Sequence, residues 1–267
     1  MRHARVAYAG AVHEAVVSED ALSLRLADGR TVPEAKIVWL PPTRPGAIIA
    51  LGLNYADHAK ELAFDKPQEE PLVFLKGPAS LVGHRGETRR PADATFMHYE
   101  CELAVVIGKP ARHVPRARAI EHVAGYTIAN DYAVRDYLEN WYRPNLRVKS
   151  RDGATALGPW LVDADDVEWP PVRALRTLVN GKQTQSGHTR DLVFDIAFLI
   201  EYLSAFMTLD TGDVILTGTP EGVVNVDVGD EVVCEIEGLG RLANRIVGDD
   251  IFGRGANANA RGRGPGE

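Results

Sequence analysis

Hydrophobic positions in this chain alternate with polar ones more often than they recur at helical spacing. Over residues 1–45 the runs ARVAYAG, ALSLRLADG and KIVWL alternate, broken by Asp28-Gly29 and Pro41-Pro42. That pattern predicts a small β-meander. Further on, AIIALG, PLVFLKG, FMHYECELAVVIG, AGYTIAND, DVILTGTP and DEVVCEIEG read as strands. NYADHAKELAF, DYAVRDYLENWY and TRDLVFDIAFLIEYLSAFM read as helices. In the last, Leu192, Ile196, Leu199, Ile200 and Leu203 recur at three-to-four spacing, the mark of a buried helix face. Strands outnumber helices and no regular βαβ alternation appears. The expectation is therefore an α+β fold around a mixed sheet. Three parts are expected: a small N-terminal β subdomain (1–45), a catalytic domain (46–252) and a disordered tail (253–267). The tail, GRGANANARGRGPGE, has too little apolar content to order itself.

Composition narrows the class. Of 267 residues, 45% are hydrophobic and 25% charged, enough for a sizeable core. Thirty basic against 37 acidic side chains leave a net charge of −7, which argues against nucleic acid or an anionic membrane as partner. No window reaches 18 consecutive apolar residues, and the N-terminus has no continuous apolar run of the kind that directs export. A cytoplasmic enzyme is expected. Two cysteines make neither a disulfide scaffold nor a cysteine-only zinc site, and Cys101 reads as a small buried hydrophobe. GxSxG, P-loop and GxGxxG motifs are missing, and Asp210-Thr211-Gly212 occurs once, in a turn.

The carboxylates carry the chemical signal. In HYECELAVVIG, Glu100 and Glu102 are two apart on a predicted strand and share a face, with Cys101, Leu103, Val105 and Ile107 opposite. Such a pair is either a solvent-exposed strand edge or a cation site, and oxygen-only ligands suit Mg²⁺ or Mn²⁺ rather than zinc. Asp131 closes the run AGYTIAND and would open a helix, with Arg135 one turn on. It reads as a helix cap with a surface ion pair, or as a third ligand beside an anion-holding arginine. Lys76 ends the predicted strand PLVFLK, Lys149 sits in LRVKSRDG, and Thr219 lies in the LTGTPEGV turn. His58 and Glu61 are i and i+3 on a predicted helix capped by Asn54 and Asp57; they form a surface contact or an acid–base pair. His98 shares the glutamates' face, so a 2-His-1-carboxylate iron site is conceivable, but no second histidine is suitably placed.

Taken in order, IIALGLNYADHAKEL, PLVFLKGPASLVGH, MHYECELAVVIGK, GYTIANDYAVRDY, LRVKSRDG, LVNGKQTQSGHT and VILTGTPEGV resemble the fumarylacetoacetate hydrolase superfamily. The resemblance implies a mixed β-roll and a metal triad at Glu100, Glu102 and Asp131. It also implies family lysines at Lys76 and Lys149, an arginine at Arg135, the TGTP threonine at Thr219, and a His58–Glu61 pair on a lid helix. Lys149, His58 and Glu61 are then expected to be catalytic, and Lys76, Arg135 and Thr219 to bind substrate. It further implies Mg²⁺ (or Mn²⁺), a small 2-oxo diacid substrate, and a homodimer with or without a paralogous second subunit. The expected reaction is decarboxylation and/or isomerisation of 2-oxo or 2-hydroxydiene dicarboxylic acids in aromatic catabolism. The alternative is C–C hydrolysis of an acylpyruvate of the fumarylpyruvate type. Arg143 and Arg147, in WYRPNLRVK, favour the substrate with more carboxylates.

Overall fold

The computed structural model describes residues 1–57, 69–138 and 145–249. The tail expected over 253–267, the helix expected after Asp57 and Arg143 lie outside the described residues.

One large mixed sheet organises the chain. Its spatial order runs Thr31–Pro33, Ser23–Leu26, Ala11–Val17, Arg2–Tyr8, Thr155–Asp163, Val123–Asp131, Cys101–Ile107, Val214–Leu216, Ile48–Gly52 and Leu72–Lys76. Val38–Leu40 and Leu81–Val82 attach at its flank, the latter parallel to Thr155–Asp163. Val214–Leu216 and Ile48–Gly52 are also parallel, so the sheet is mixed, as the absence of βαβ alternation predicts. A second sheet runs Lys182–His188, Ala174–Val179, Glu231–Ile236, Gly240–Gly248 and Glu87–Arg90. The N-terminal meander keeps a core of its own around Val6, Leu24 and Trp39. It nevertheless joins the large sheet, where Arg2 and His3 pair with Val162 and Leu161.

Both faces of the central strand Cys101–Ile107 are buried. Cys101, Leu103, Val105 and Ile107 pack on one side against the helix Ile196–Phe206, through Leu199, Ile200 and Leu203. Ala104 and Val106 pack on the other with Ile48, Ala50, Leu157 and Leu216. A strand apolar on both faces is a sheet's interior, and burial of such side chains contributes about 1.5–3 kcal/mol each.

Two predicted helices change. The helix expected over 189–207 starts only at Ile196, because the Asp195 side chain accepts the Phe198 N–H at 2.8 Å and caps it there. Leu192, placed by its spacing on the helix face, instead bridges to Tyr55. The helix expected from Asp131 is not formed as far as Leu138. Asp131 ends the strand Val123–Asp131, Ala133–Val134 pairs with Met97–His98, and Arg135–Tyr137 makes one 3₁₀ turn. The amides that a helix would use are taken elsewhere: Tyr132 N–H donates to the Ala154 carbonyl at 3.0 Å and Arg135 N–H to the Phe96 carbonyl at 2.9 Å. Tertiary pairing overrides local propensity here.

Candidate metal centre and substrate site

Strand register assembles the acidic group. Cys101 pairs with Asn130 across antiparallel strands, which sets Glu100 opposite Asp131; the Asp131 N–H donates to the Glu100 carbonyl at 2.9 Å. Glu102 is two residues further and so returns to the same face. One oxygen from each of Glu100, Glu102 and Asp131 lies within 4.8 Å of the others. All three are buried, at 5%, 0% and 0% exposure, which excludes the exposed strand edge. Asp131 does not share a helical face with Arg135, since the chain between them is extended.

Three buried carboxylates repel one another, and the chain answers with two buried lysines. Lys149, from the short helix Leu146–Lys149, donates to Glu100 Oε2 at 2.5 Å and Asp131 Oδ2 at 3.0 Å. Lys76, closing Leu72–Lys76, donates to Asp131 Oδ1 and to the Lys149 carbonyl. Both lysines are buried, although a lysine usually reaches solvent. Burial pushes the Lys76 amine down, with Asp131 opposing and Lys149 adding to the fall. Burial also works against charge on Lys149, but Asp131 and Glu100 more than offset it and its pKa rises.

Glu102 shows what the arrangement is suited to hold. Its Oε2 accepts the Gly218 N–H at 2.7 Å, while its buried Oε1 has no hydrogen-bond partner among the described residues. Burial first, then repulsion from Asp131 and Glu100, pushes its carboxyl well above the usual range. An orphaned buried carboxylate oxygen, facing two more carboxylates, fits a hard divalent cation. Gly218 must be glycine: its φ is +93°, and a Cβ there would lie 3.0 Å from that of Asn54.

The remaining predicted residues fall as follows. Arg135 Nη2 is 3.6 Å from Glu100 Oε1, and its Nε donates to His98 Nε2 at 2.8 Å. That contact occupies the nitrogen an iron site would need. Burial first, with Arg135 and Lys149 adding to it and Glu100 opposing, holds His98 down at about 3, so it is neutral. The Thr219 hydroxyl donates to the Cys101 carbonyl and accepts from Gln185 Nε2, both at 2.9 Å. Asn54 is not a helix cap: its side chain accepts the Phe194 N–H at 2.8 Å and donates to the Thr217 carbonyl at 2.9 Å. The Arg147 guanidinium lies 4.2 Å over the Tyr137 ring. His58 and Glu61 lie outside the described residues. Gln185, Gly218 and Asn130 went unnoticed in the sequence. Asn130, whose Oδ1 accepts the Glu100 N–H at 3.1 Å, could have been found as a polar residue inside an apolar strand.

Residues 47–247 match the model of the fumarylacetoacetate (FAA) hydrolase C-terminal domain, and the chain belongs to that family. It is 60% identical over 207 residues to a 4-hydroxyphenylacetate degradation bifunctional isomerase/decarboxylase of Salmonella dublin, covering 78% of this chain and 48% of that one. The chain thus spans about half the length of that relative. It is 41% identical over 225 residues to a human mitochondrial oxaloacetate tautomerase, covering 81% and 71%. The crystal structure of a 5-carboxymethyl-2-hydroxymuconate delta-isomerase from Mycobacterium smegmatis superposes with a TM-score of 0.83 at 41% identity, covering 93% and 99%.

Proposed function

We propose that this chain is a Mg²⁺- or Mn²⁺-dependent enzyme that decarboxylates and/or isomerises 2-oxo or 2-hydroxydiene dicarboxylic acids from aromatic ring cleavage. The named activities are 2-hydroxyhepta-2,4-diene-1,7-dioate isomerase and 5-carboxymethyl-2-oxohex-3-ene-1,7-dioate decarboxylase. The observation that carries the reading is the buried triad, with Glu102 Oε1 unpartnered among the described residues and two buried lysines beside the triad. The relatives are named an isomerase/decarboxylase, a delta-isomerase and a tautomerase, which supports isomerase or decarboxylase chemistry.

Glu100, Glu102 and Asp131 would hold the ion, which when bound supplies Lewis acidity toward the carboxylate and 2-oxo oxygens of a 2-oxo acid. Lys149, kept cationic by Asp131 and Glu100, is assigned to the negative charge that develops on a dienolate. Arg135 and Lys76 are assigned to substrate carboxylates, Lys76 through its grip on Lys149, and the turn at Thr219 to the wall of the substrate site. His58 and Glu61 are assigned to the proton. In decarboxylation the bond to the leaving carboxylate breaks, its electron pair enters the conjugated enone, CO₂ departs and a proton returns to carbon. In isomerisation the 2-hydroxyl of the diene gives up its proton, which yields the same dienolate with the 2-oxygen as a carbonyl, and a proton is delivered to the distal carbon, C5. One constellation therefore serves both steps.

No helix among the described residues is long and apolar enough to cross a membrane. We assign a cytoplasmic homodimer, with or without a paralogous second chain, which light scattering on the purified protein checks. The N-terminal meander (1–45) is assigned as a small subdomain whose strands continue the large sheet, and 46–252 as the catalytic domain. The decisive assay offers purified protein the homoprotocatechuate ring-cleavage intermediates and fumarylpyruvate, with and without Mg²⁺. CO₂ release or a diene absorbance change, with little pyruvate, is expected. Stoichiometric pyruvate from fumarylpyruvate with no turnover of the diene diacid would establish C–C hydrolysis instead.

A further inference from the structure

His98 sits two residues before the first triad carboxylate, is fully buried, and is engaged at both ring nitrogens. Its Nδ1 lies 3.1 Å from the Tyr99 carbonyl, which can only accept, so the proton is on Nδ1. Nε2 is then a lone pair and accepts from Arg135 Nε at 2.8 Å. Phe96 covers the imidazole with ring centroids 5.7 Å apart, and the Phe96 carbonyl also takes the Arg135 backbone N–H. Arg135 is therefore fixed at its backbone and at one side-chain nitrogen by the same short strand region.

A guanidinium offers a carboxylate two bidentate edges: Nε with one terminal nitrogen, or the two terminal nitrogens together. His98 occupies Nε, which leaves the end-on edge. That end is the one at the triad, with Nη2 3.6 Å from Glu100 Oε1. The Arg135 side chain keeps 22% exposure and His98 keeps none, so the cation opens toward solvent while its anchor does not.

We propose that His98 is a positioning residue: as a buried neutral acceptor it turns the Arg135 guanidinium so that its two terminal nitrogens face a carboxylate of the substrate. The proposal rests on the reading of Arg135 as a substrate-binding residue. Its chemistry requires only an acceptor at the Nε2 position, not the imidazole itself. A glutamine side chain places its amide oxygen near that position, an asparagine nearer Nδ1.

The test is calorimetric binding of 2-oxoheptanedioate in saturating Mg²⁺ to wild type and to Arg135→Ala, His98→Leu, His98→Gln and His98→Asn, with Mg²⁺ titrated alone in parallel. Arg135→Ala should weaken the diacid by 10-fold or more. His98→Leu should weaken it roughly 10-fold, the loss of one charge-assisted hydrogen bond, with Mg²⁺ affinity kept. His98→Gln should recover most of the loss and His98→Asn little. In the Arg135→Ala background His98→Leu should add nothing. Additive losses, or equal affinity in the Gln and Asn variants, would overturn the proposal; those two variants carry the test if the Leu variant does not fold. Unchanged diacid binding in Arg135→Ala would instead remove the underlying reading, and the proposal with it.

Discussion

The Gly218 N–H donates to one oxygen of Glu102 at 2.7 Å and leaves the other, Oε1, without a partner among the described residues in a fully buried position. A carboxylate so placed is costly in the metal-free protein, because burial and two neighbouring carboxylates both disfavour its charge. Glu102→Gln keeps an acceptor for Gly218 and removes that charge. The metal-free variant should therefore melt no lower than wild type, while Mg²⁺ binding and activity disappear. Calorimetry and thermal melts with and without Mg²⁺ read both effects. Wild-type Mg²⁺ affinity in the variant would refute the metal assignment.

Lys76 and Lys149 grip opposite oxygens of Asp131, and Lys76 also takes the Lys149 backbone carbonyl. Removing the Lys76 ammonium leaves a buried aspartate half compensated and frees the end of the helix Leu146–Lys149. Losing one partner of a buried ion pair costs roughly 3–5 kcal/mol. Lys76→Met should show a loss of that order in urea unfolding of the metal-free protein. Saturating Mg²⁺ should restore part of it, since a divalent cation takes over the compensation. A loss below about 1 kcal/mol would mean that the lysine only fills space.

His84 gives a pH dependence that is separate from the site. Its Nδ1 accepts the Ala243 N–H at 3.0 Å, and Trp39 packs edge-on at 5.7 Å. Burial first, then Arg85, lowers its pKa from 6.5 to about 4. The unfolded chain therefore binds a proton near pH 6.5 that the folded chain refuses until about pH 4. Stability from this group is complete above 6.5 and is lost as pH falls toward 4, by at most about 3 kcal/mol. His84→Gln, which keeps an acceptor, should flatten that part of the stability profile between pH 7.5 and 4.5. Identical profiles for variant and wild type would show that the histidine is not the cause.

The strands were legible because their apolar runs are long and bounded by Gly, Pro and Asp. The Glu100–Glu102 pair followed from the two-residue period, and Asp131 from its place at the end of an apolar run. What brings Asp131 to them, the pairing of Cys101 with Asn130, is a long-range register that no local pattern contains. The same limit explains the helix expected from Asp131: DYAVRDYL has acceptable local propensity, and only the distant Ala154 and Phe96 carbonyls decide against it. His98 looked like a candidate ligand because its partner, Arg135, is 37 residues away in sequence. Lys76 looked like a surface lysine because burial is a property of the whole sheet.

The last prediction concerns His58 and Glu61. The chain entering that segment is firmly anchored: Asn54 is held to Phe194 and Thr217, and Tyr55 bridges to Leu192 at 3% exposure. Asn54 also packs on Gly218, whose N–H holds Glu102. On the helix expected from the sequence, Glu61 at i+3 would orient the His58 imidazole and raise its basicity. A general acid–base contributes typically 10²- to 10⁴-fold, so His58→Ala should cut turnover by roughly that factor. Glu61→Gln, which only loosens the imidazole, should cost less. Mg²⁺ affinity should stay at the wild-type value in both, because neither residue belongs to the triad. Steady-state kinetics with a parallel Mg²⁺ titration separates the roles: near-wild-type turnover in His58→Ala would reduce the pair to a surface contact, and lost Mg²⁺ binding would move His58 into the metal site.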